Sequence, residues 1–62
     1  MYTIIEFTTT RFVDGKFMSR VTILVDTSAE IPTPDEAWEP GSICMIAEGH
    51  SYKILNHEGA WV

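Results

Sequence analysis

The stretch YTIIEFTTTRFVDGKFMSRVTILVDT, residues 2–27, decides the fold class of this chain. It is rich in Thr, Ile, Val and Phe on both sides of Asp14-Gly15. β-Branched and aromatic residues favour strands, and an Asp-Gly pair between two such runs favours a tight turn. The pattern therefore predicts a β-hairpin in which residues 2–13 pair with residues 17–27.

The distribution of apolar residues indicates the register of this hairpin. A strict two-residue Asp14-Gly15 loop places odd positions of the first strand beside even positions of the second, which mixes polar and apolar residues on both faces. A three-residue loop with Gly15 in the left-handed conformation pairs odd with odd and collects the apolar residues. We therefore expect the second register. Its first face consists of Ile5, Phe7, Thr9, Phe17, Val21, Ile23 and Val25.

The opposite face of the expected hairpin is polar only in its middle. Its ends carry Tyr2, Ile4, Phe12, Met18 and Leu24. These ends are too apolar for open solvent, so we expect them to be covered by the C-terminal strands, by another copy of the chain or by a partner. Phe12 and Met18 are accordingly candidate interface residues.

Residues 26–41 form a connector rather than a strand, because three prolines and five acidic residues occupy sixteen positions. Within it, Thr33-Pro34-Asp35-Glu36 has the pattern of a helix start, with Thr33 as N-cap and Glu36 completing a capping box. We expect one short helical turn near residues 34–38, ended by Pro40. Trp38 should then fold back over the sheet.

Three further short strands are predicted at 42–47, 51–56 and 60–62, with turns at 48–50 and 57–59 that each contain a glycine. Five short antiparallel strands in hairpins and a meander indicate an all-β small barrel or SH3-like roll. The chain is expected to be one domain over 1–62. It comprises an N-terminal hairpin at 1–27, a Pro-rich connector at 28–41 and a three-strand meander at 42–62.

Composition excludes several classes of partner. Four Lys and Arg against nine Asp and Glu give a net charge of -5, which repels phosphate backbones and argues against nucleic acid. The longest apolar run is a few residues, far short of a membrane span or a signal peptide. We expect a protein made in a reducing bacterial cytoplasm, without a membrane partner.

The short length limits the core that the chain can form. A domain of about 60 residues buries only about 60% of the surface of its unfolded chain, and small domains commonly compensate with disulfides, metals or self-association. The single cysteine, Cys44, rules out an internal disulfide and is expected to be buried. The chain is therefore expected either to self-associate or to be a monomer of modest stability.

No set of residues indicates catalysis, a metal or a cofactor. Cys44, His50 and His57 are the only soft or borderline metal ligands, and they are expected on a strand and on two separate turns. The acidic residues around Asp35 flank the predicted helix start, where negative charge is stabilising. No serine or cysteine has a histidine at a spacing that implies a nucleophile and its base. We expect no enzyme activity.

The aromatic residues are better candidates for function. Tyr52 and Trp61 fall on consecutive predicted strands and are expected to form a cross-strand pair. One interpretation is that they form the lid of a small core. The other is that Tyr52, Trp61 or Trp38 lines a groove for a peptide or sugar, or forms the centre of a subunit interface.

The C-terminal part of the chain has a recognisable arrangement of residues. Asp26-Thr27 and Ile31-Pro32 are followed by Pro40-Gly41-Ser42, and then by spaced glycines and aromatics. These last residues are Gly49, Tyr52, Leu55, Gly59 and Trp61. The arrangement resembles small structural proteins encoded by tailed phages and prophages, over roughly residues 26–62.

The resemblance implies a virion component of the head, connector or fibre type that assembles as an oligomer. The chain departs from the pattern in its connector, where residues 35–39 add a predicted helical turn and Trp38, and it ends one residue after Trp61. The N-terminal hairpin carries no signature of the group. The resemblance therefore concerns the meander and its connector.

These observations favour a non-enzymatic structural protein that assembles with itself and docks on a capsid, tail or other protein surface. It would be virion-associated after synthesis in the cytoplasm. The alternative is a monomeric SH3-like protein- or peptide-binding module of the bacterial cytosol that uses Trp38, Tyr52 and Trp61. A third, weaker hypothesis is an acidic mimic of nucleic acid, for which the charge is modest.

Overall fold

The computed structural model describes all residues 1–62 and contains one four-stranded sheet. Its strands are β1 (Tyr2–Val13), β2 (Lys16–Val25), β3 (Ile43–Ile46) and β4 (Ser51–Ile54). Two 3-10 turns lie at Ser28–Glu30 and Glu48–His50. The predicted all-β class is confirmed, but there are four strands rather than five. The predicted strand at 60–62 is reduced to an isolated bridge between Leu55 and Trp61.

The strands are ordered β1-β2-β3-β4, and this linear order leaves the sheet open rather than closed into a barrel. β1 and β2 are antiparallel, as are β3 and β4, but β2 and β3 are parallel. The expectation of antiparallel strands throughout was therefore wrong at this junction. Parallel neighbours require a crossover of about a dozen residues or more, and the connector between Val25 and Ile43 is long enough to make one.

The hairpin turn has two residues, not three. Val13 pairs with Lys16, and both residues between them have positive φ, 51° at Asp14 and 82° at Gly15. Two consecutive positive φ values characterise the type I′ turn, whose twist matches that of the two strands. The three-residue loop predicted from the apolar pattern was therefore wrong.

Two β-bulges in β1 restore much of the apolar face that this turn alone would disrupt. The register shifts between Thr9 and Arg11 and again between Ile4 and Glu6, so Thr10 and Ile5 are the extra residues. Between the bulges, Phe7 pairs with Val21, which is the odd-to-odd pairing expected from the sequence. On the far side of each bulge, the odd- and even-numbered residues of β1 exchange faces. Tyr2, Ile4 and Phe12 consequently lie on the face of Val21, not on the opposite face as predicted.

The core lies on one face of the sheet, here called the inner face. Its buried cluster consists of Val21, Ile23, Val25, Cys44 and Ile46. Ile31 and Trp38 of the connector, together with Trp61, pack against the cluster. Full burial of an aliphatic side chain contributes about 1.5–3 kcal/mol relative to exposure. The crossover thus supplies the second layer that a single sheet lacks.

The connector forms a turn rather than the predicted helical turn near residues 34–38. The Asp35 Oδ1 accepts the Ala37 N–H at 2.8 Å, and the Asp35 carbonyl accepts the Trp38 N–H at 2.9 Å. The chain then runs beside β2. There, the Ala37 carbonyl accepts the Ser19 N–H and the Glu39 N–H donates to the Ser19 carbonyl. Pairing with β2 satisfies backbone groups that a continued helix would have used, so the sheet replaces the helix.

Ser42 joins the end of the connector to the sheet. Its side chain is fully buried, and its Oγ accepts the Val21 N–H at 3.1 Å while donating to the Glu39 carbonyl at 2.8 Å. A buried polar group is stable only with such partners. Ser42 therefore fixes where β3 begins beside β2.

Candidate interaction surfaces

Trp38 and Trp61 form the lid of the core. Their ring centroids are 6.2 Å apart, and the ring of Tyr2 meets that of Trp38 edge-on, also at 6.2 Å. The Trp61 indole N–H donates to the Pro32 carbonyl at 2.9 Å. Both tryptophans are half-buried against the core cluster. Of the two interpretations left open for these residues, this geometry supports the core lid.

Tyr52 does not pair with Trp61, and the expected cross-strand pair was wrong. Tyr52 pairs with Met45, on the face opposite the core. Trp61 bridges Leu55, three residues beyond Tyr52. Residues three apart along an extended chain point to opposite sides, so Trp61 reaches the inner face while Tyr52 remains 64% exposed on the other.

Phe12 and Met18 likewise do not share a surface. Phe12 pairs with Phe17 near the tip of the hairpin, with ring centroids 4.8 Å apart. Met18 pairs with Arg11, and neighbouring residues of a strand face opposite ways. The bulge at Thr10 accounts for the separation, because it shifts the pairing of every residue between it and the turn.

The uncovered face of the sheet carries a contiguous apolar area, here called the outer patch. It consists of Leu24, Ile43, Met45, Tyr52 and Ile54, which form a shallow concavity of about 780 Å³. The pairings Leu24 to Met45, Met45 to Tyr52 and Ile43 to Ile54 place these side chains side by side across three strands. Tyr52 is the only predicted interface residue in the patch.

Leu24 was expected on this face from the hairpin pattern, but the sequence did not lead us to Ile43, Met45 and Ile54. The alternation of Ile43 with Cys44 and Met45, and of Tyr52 with Lys53 and Ile54, is a period-2 signal that could have revealed an apolar outer face. The same alternation in β2 places Leu24 on the face opposite to the buried Ile23 and Val25. Leu24 joins the patch because β3 lies beside β2 with Met45 next to Leu24.

β1 is the second exposed surface. It lies at the edge of the sheet, and eleven of its twelve residues are exposed. The exposed side chains include Tyr2, Ile4, Ile5, Phe7 and Phe12. A long apolar strand at a sheet edge is a surface that commonly pairs with another chain.

Three ion pairs link the exposed parts of the chain. Arg11 Nε lies 2.5 Å from Glu39 Oε1, and the charge and hydrogen bond of Glu39 raise the pKa of Arg11. The Met1 ammonium lies 2.8 Å from Glu30 and lowers the pKa of that carboxyl through the hydrogen bond. Lys16 and Glu36 are 3.7 Å apart. All three are at the surface, where solvent screens them, so they orient the connector more than they stabilise it.

The potentially reactive groups do not converge. Cys44 is fully buried, and burial raises the pKa of its thiol, which disfavours the thiolate. No group of three or more His, Cys, Asp or Glu residues is arranged to hold a metal ion. The structure has no helix with the length and hydrophobicity that a membrane span needs.

No protein-family model, curated protein or solved structure matches this chain. The surfaces described above are consequently the basis for inferring its function.

Proposed function

We propose that this chain is a small, non-enzymatic structural protein of phage or prophage type, which acts by assembling with itself and docking on a virion or other protein surface. The observation that carries the proposal is the ratio of exposed to buried apolar side chains. Eleven large hydrophobic residues are exposed, whereas six hydrophobic residues are buried. Association is the simplest way for so small a chain to remove that surface from water.

Two separate surfaces suit the two parts of the proposal. The open edge of β1 offers backbone pairing, and the outer patch offers a concave apolar area rimmed by His50 and Ser51. A protein that uses one surface for its own copies keeps the other free for a different partner. The phage assignment itself is supported by the resemblance of residues 26–62, which includes the buried Ser42 that fixes β3.

The test is the solution mass by light scattering over a concentration series, for the parent chain and for a Met45→Lys variant. The proposal expects a parent oligomer whose mass is retained in Met45→Lys, together with loss of binding to virions in co-sedimentation by that variant alone. Lys53→Met is a matched control, since it alters a neighbouring residue on the other face. A parent chain that stays monomeric at high concentration would contradict the proposal.

A second candidate is a monomeric protein- or peptide-binding module of the bacterial cytosol. The concavity of the outer patch favours it, because an extended peptide could lie against Tyr52 and Met45. The tryptophans are occupied in the core lid, so Tyr52 would carry the aromatic contact. A monomeric parent chain that captures peptides through Tyr52 would replace the first proposal with this one.

A further inference from the structure

β1 lacks several of the features that usually protect a sheet edge. Natural edge strands are kept from pairing by shortness, by charged residues or Pro, by β-bulges, or by a covering segment. β1 has twelve residues and contains neither Lys nor Pro, and no strand lies beyond it. Its two bulges and its two charged residues, Glu6 and Arg11, are the protective features that it does have. Its outer backbone groups are nevertheless available to a second strand.

The two bulges of β1 lie on either side of Thr8, with the extra residue Ile5 three positions before it and the extra residue Thr10 two positions after it. The first bulge lies between Ile4 and Glu6, and the second lies between Thr9 and Arg11. If a second β1 pairs antiparallel with Thr8 opposite Thr8, residues 5–6 of one copy lie opposite residues 10–11 of the other. Ile5 then faces Arg11 of the other copy, and Thr10 faces Glu6 of the other copy.

The symmetry of the pair restricts where its two-fold axis can cross β1. Residues opposite each other in an antiparallel pair point to the same face. An axis perpendicular to the sheet preserves the face of each residue, so it must pass through a residue and its own copy. An axis between two neighbouring residues would pair side chains that point to opposite faces. Thr8 satisfies this requirement, because it brings Ile4 opposite Phe12 and Thr3 opposite Val13, and each of these pairs shares a face.

The side chains of the two copies are compatible in this register. Ile4 lies opposite Phe12 of the second copy, and both belong to the inner face according to their partners Ile23 and Phe17. Thr3 lies opposite Val13 of the second copy, and both belong to the outer face. The exposed Ile4 and Phe12 would therefore cover each other at both ends of the interface.

The charges of β1 are also complementary about the same centre. Glu6 and Arg11 are its only charged residues, and both lie on the outer face, across from Thr22 and Met18. Pairing about Thr8 brings Glu6 of each copy to the bulge that holds Arg11 of the other. Glu6 has no ion-pair partner within the chain. Arg11 uses its Nε for Glu39, and a guanidinium has further N–H donors.

We propose that two copies of this chain pair antiparallel through β1 about a two-fold axis at Thr8, which joins their sheets into one. The inference rests on the proposed function, because it identifies the surface through which self-assembly occurs. It leaves the outer patch of each copy uncovered. The dimer therefore presents two identical docking surfaces on one face of a continuous sheet.

Cysteine cross-linking tests the register directly. Opposed residues in an antiparallel pair have Cα atoms about 4.5–5.5 Å apart, within the range of about 4.4–6.8 Å that a disulfide spans. Thr8→Cys should give a disulfide-linked dimer on mild oxidation. Thr3→Cys is the matched control, exposed on the same strand and face, but separated from its own copy by about 33 Å at about 3.3 Å per residue. The native Cys44 is buried and should remain unlinked.

A charge exchange tests the same interface without a covalent bond. Glu6→Arg should weaken dimerisation roughly tenfold or more, because each dimer then contains two repulsive pairs instead of two attractive ones. The double variant Glu6→Arg with Arg11→Glu should recover most of the affinity. Tyr52→Arg, in the outer patch, should leave the dimer unchanged.

The possible results separate this inference from the function on which it depends. A parent chain that associates while Thr8→Cys fails to cross-link and Glu6→Arg has no effect would overturn pairing through β1, but would leave self-assembly standing. A parent chain that stays monomeric, with no cross-linking of Thr8→Cys, would overturn both. Cross-linking of Thr8→Cys and Thr3→Cys at equal rates would also overturn the register, because it would indicate random collision.

Discussion

β1 and β2 lie side by side in one hairpin and have similar compositions, yet they differ sharply in burial. Ile4 and Ile23 are directly opposed on the same face, but Ile4 is 47% exposed and Ile23 is fully buried. The difference arises because β3 and the connector cover β2, whereas nothing lies beyond β1. The residue types of both segments favour strands. The path of the connector determines which of the two strands is buried in the core.

Truncation of the two opposed isoleucines should give the largest difference in the free energy of unfolding. Ile23→Ala should lower the free energy of unfolding by about 2–5 kcal/mol, as expected for a buried aliphatic truncation. Ile4→Ala removes the same atoms from the exposed strand and should cost less than about 1 kcal/mol in the monomer. Urea denaturation at a concentration below any association measures both. Equal losses would mean that β1 is covered in solution as well as β2.

The connector should account for much of the difference in burial between β1 and β2. Trp38→Ala removes a half-buried ring from the core lid and should cost about 2–3 kcal/mol, somewhat less than the 3–5 kcal/mol typical of fully buried aromatics. Phe17→Ala is the control, an aromatic of β2 that is 65% exposed. The comparison can be made by thermal unfolding followed by circular dichroism. A larger loss from Phe17→Ala would place the lid elsewhere.

Substitution of Ser42 tests whether its hydroxyl group holds the start of β3 against β2. Ser42→Ala leaves the buried Val21 N–H and the Glu39 carbonyl without this partner and should cost about 1–2 kcal/mol. Ser51→Ala changes an exposed serine of β4 and should be nearly neutral. Amide hydrogen exchange at Val21 gives a local readout. Unchanged protection of that amide in Ser42→Ala would contradict the assigned hydrogen bond.

The turn between the two strands should show a smaller effect. Gly15→Ala introduces a Cβ at a φ of 82° and should cost about 1 kcal/mol, although no atom obstructs the added methyl group. Asp14→Gly, at a φ of 51°, should be neutral or slightly stabilising. Chemical denaturation of the two variants decides whether the turn has two residues. A neutral Gly15→Ala together with a destabilising Asp14→Gly would argue against it.

The buried thiol beside β2 should give the smallest effect. Because burial raises the pKa of Cys44, the unfolded chain ionises at a lower pH than the folded one. The contribution to stability is present below the unfolded pKa of about 8.5 and is lost as the pH rises above it. The free energy of unfolding should fall by less than about 1 kcal/mol between pH 7 and pH 9, beyond the change shown by Cys44→Ala. An identical pH dependence in the two proteins would mean that the thiol is accessible.

Several features of the fold could be predicted because they depend on neighbouring residues. Both strands of the hairpin, the position of its turn and the turns at residues 48–50 and 57–59 follow from β-branched runs interrupted by glycines, and all are present. The bulges were not predictable in this way. Ile5 and Thr10 have nothing in their identity that distinguishes them from neighbouring strand residues, and their effect is visible only in the pairing with β2.

The candidate surfaces were less predictable than the strands. Tyr52 was identified and lies in the outer patch, but Trp38 and Trp61 form the core lid, and Phe12 and Met18 point to opposite faces. An aromatic residue in a small β protein can serve a core or an interface equally well. Its role depends on which face it occupies, and a one-residue shift in register exchanges the faces.

Local sequence was sufficient to establish an all-β chain, the Asp14-Gly15 turn and a connector that could not be a strand, because propensity and turn chemistry act over a few residues. Long-range packing established the parallel pairing of β2 with β3 and the replacement of a helical turn at residues 34–38 by a segment beside β2. It also left β1 open at the edge. These outcomes depend on where a crossover can satisfy its backbone hydrogen bonds and cover an apolar face at the same time, and residues distant in sequence decide that together.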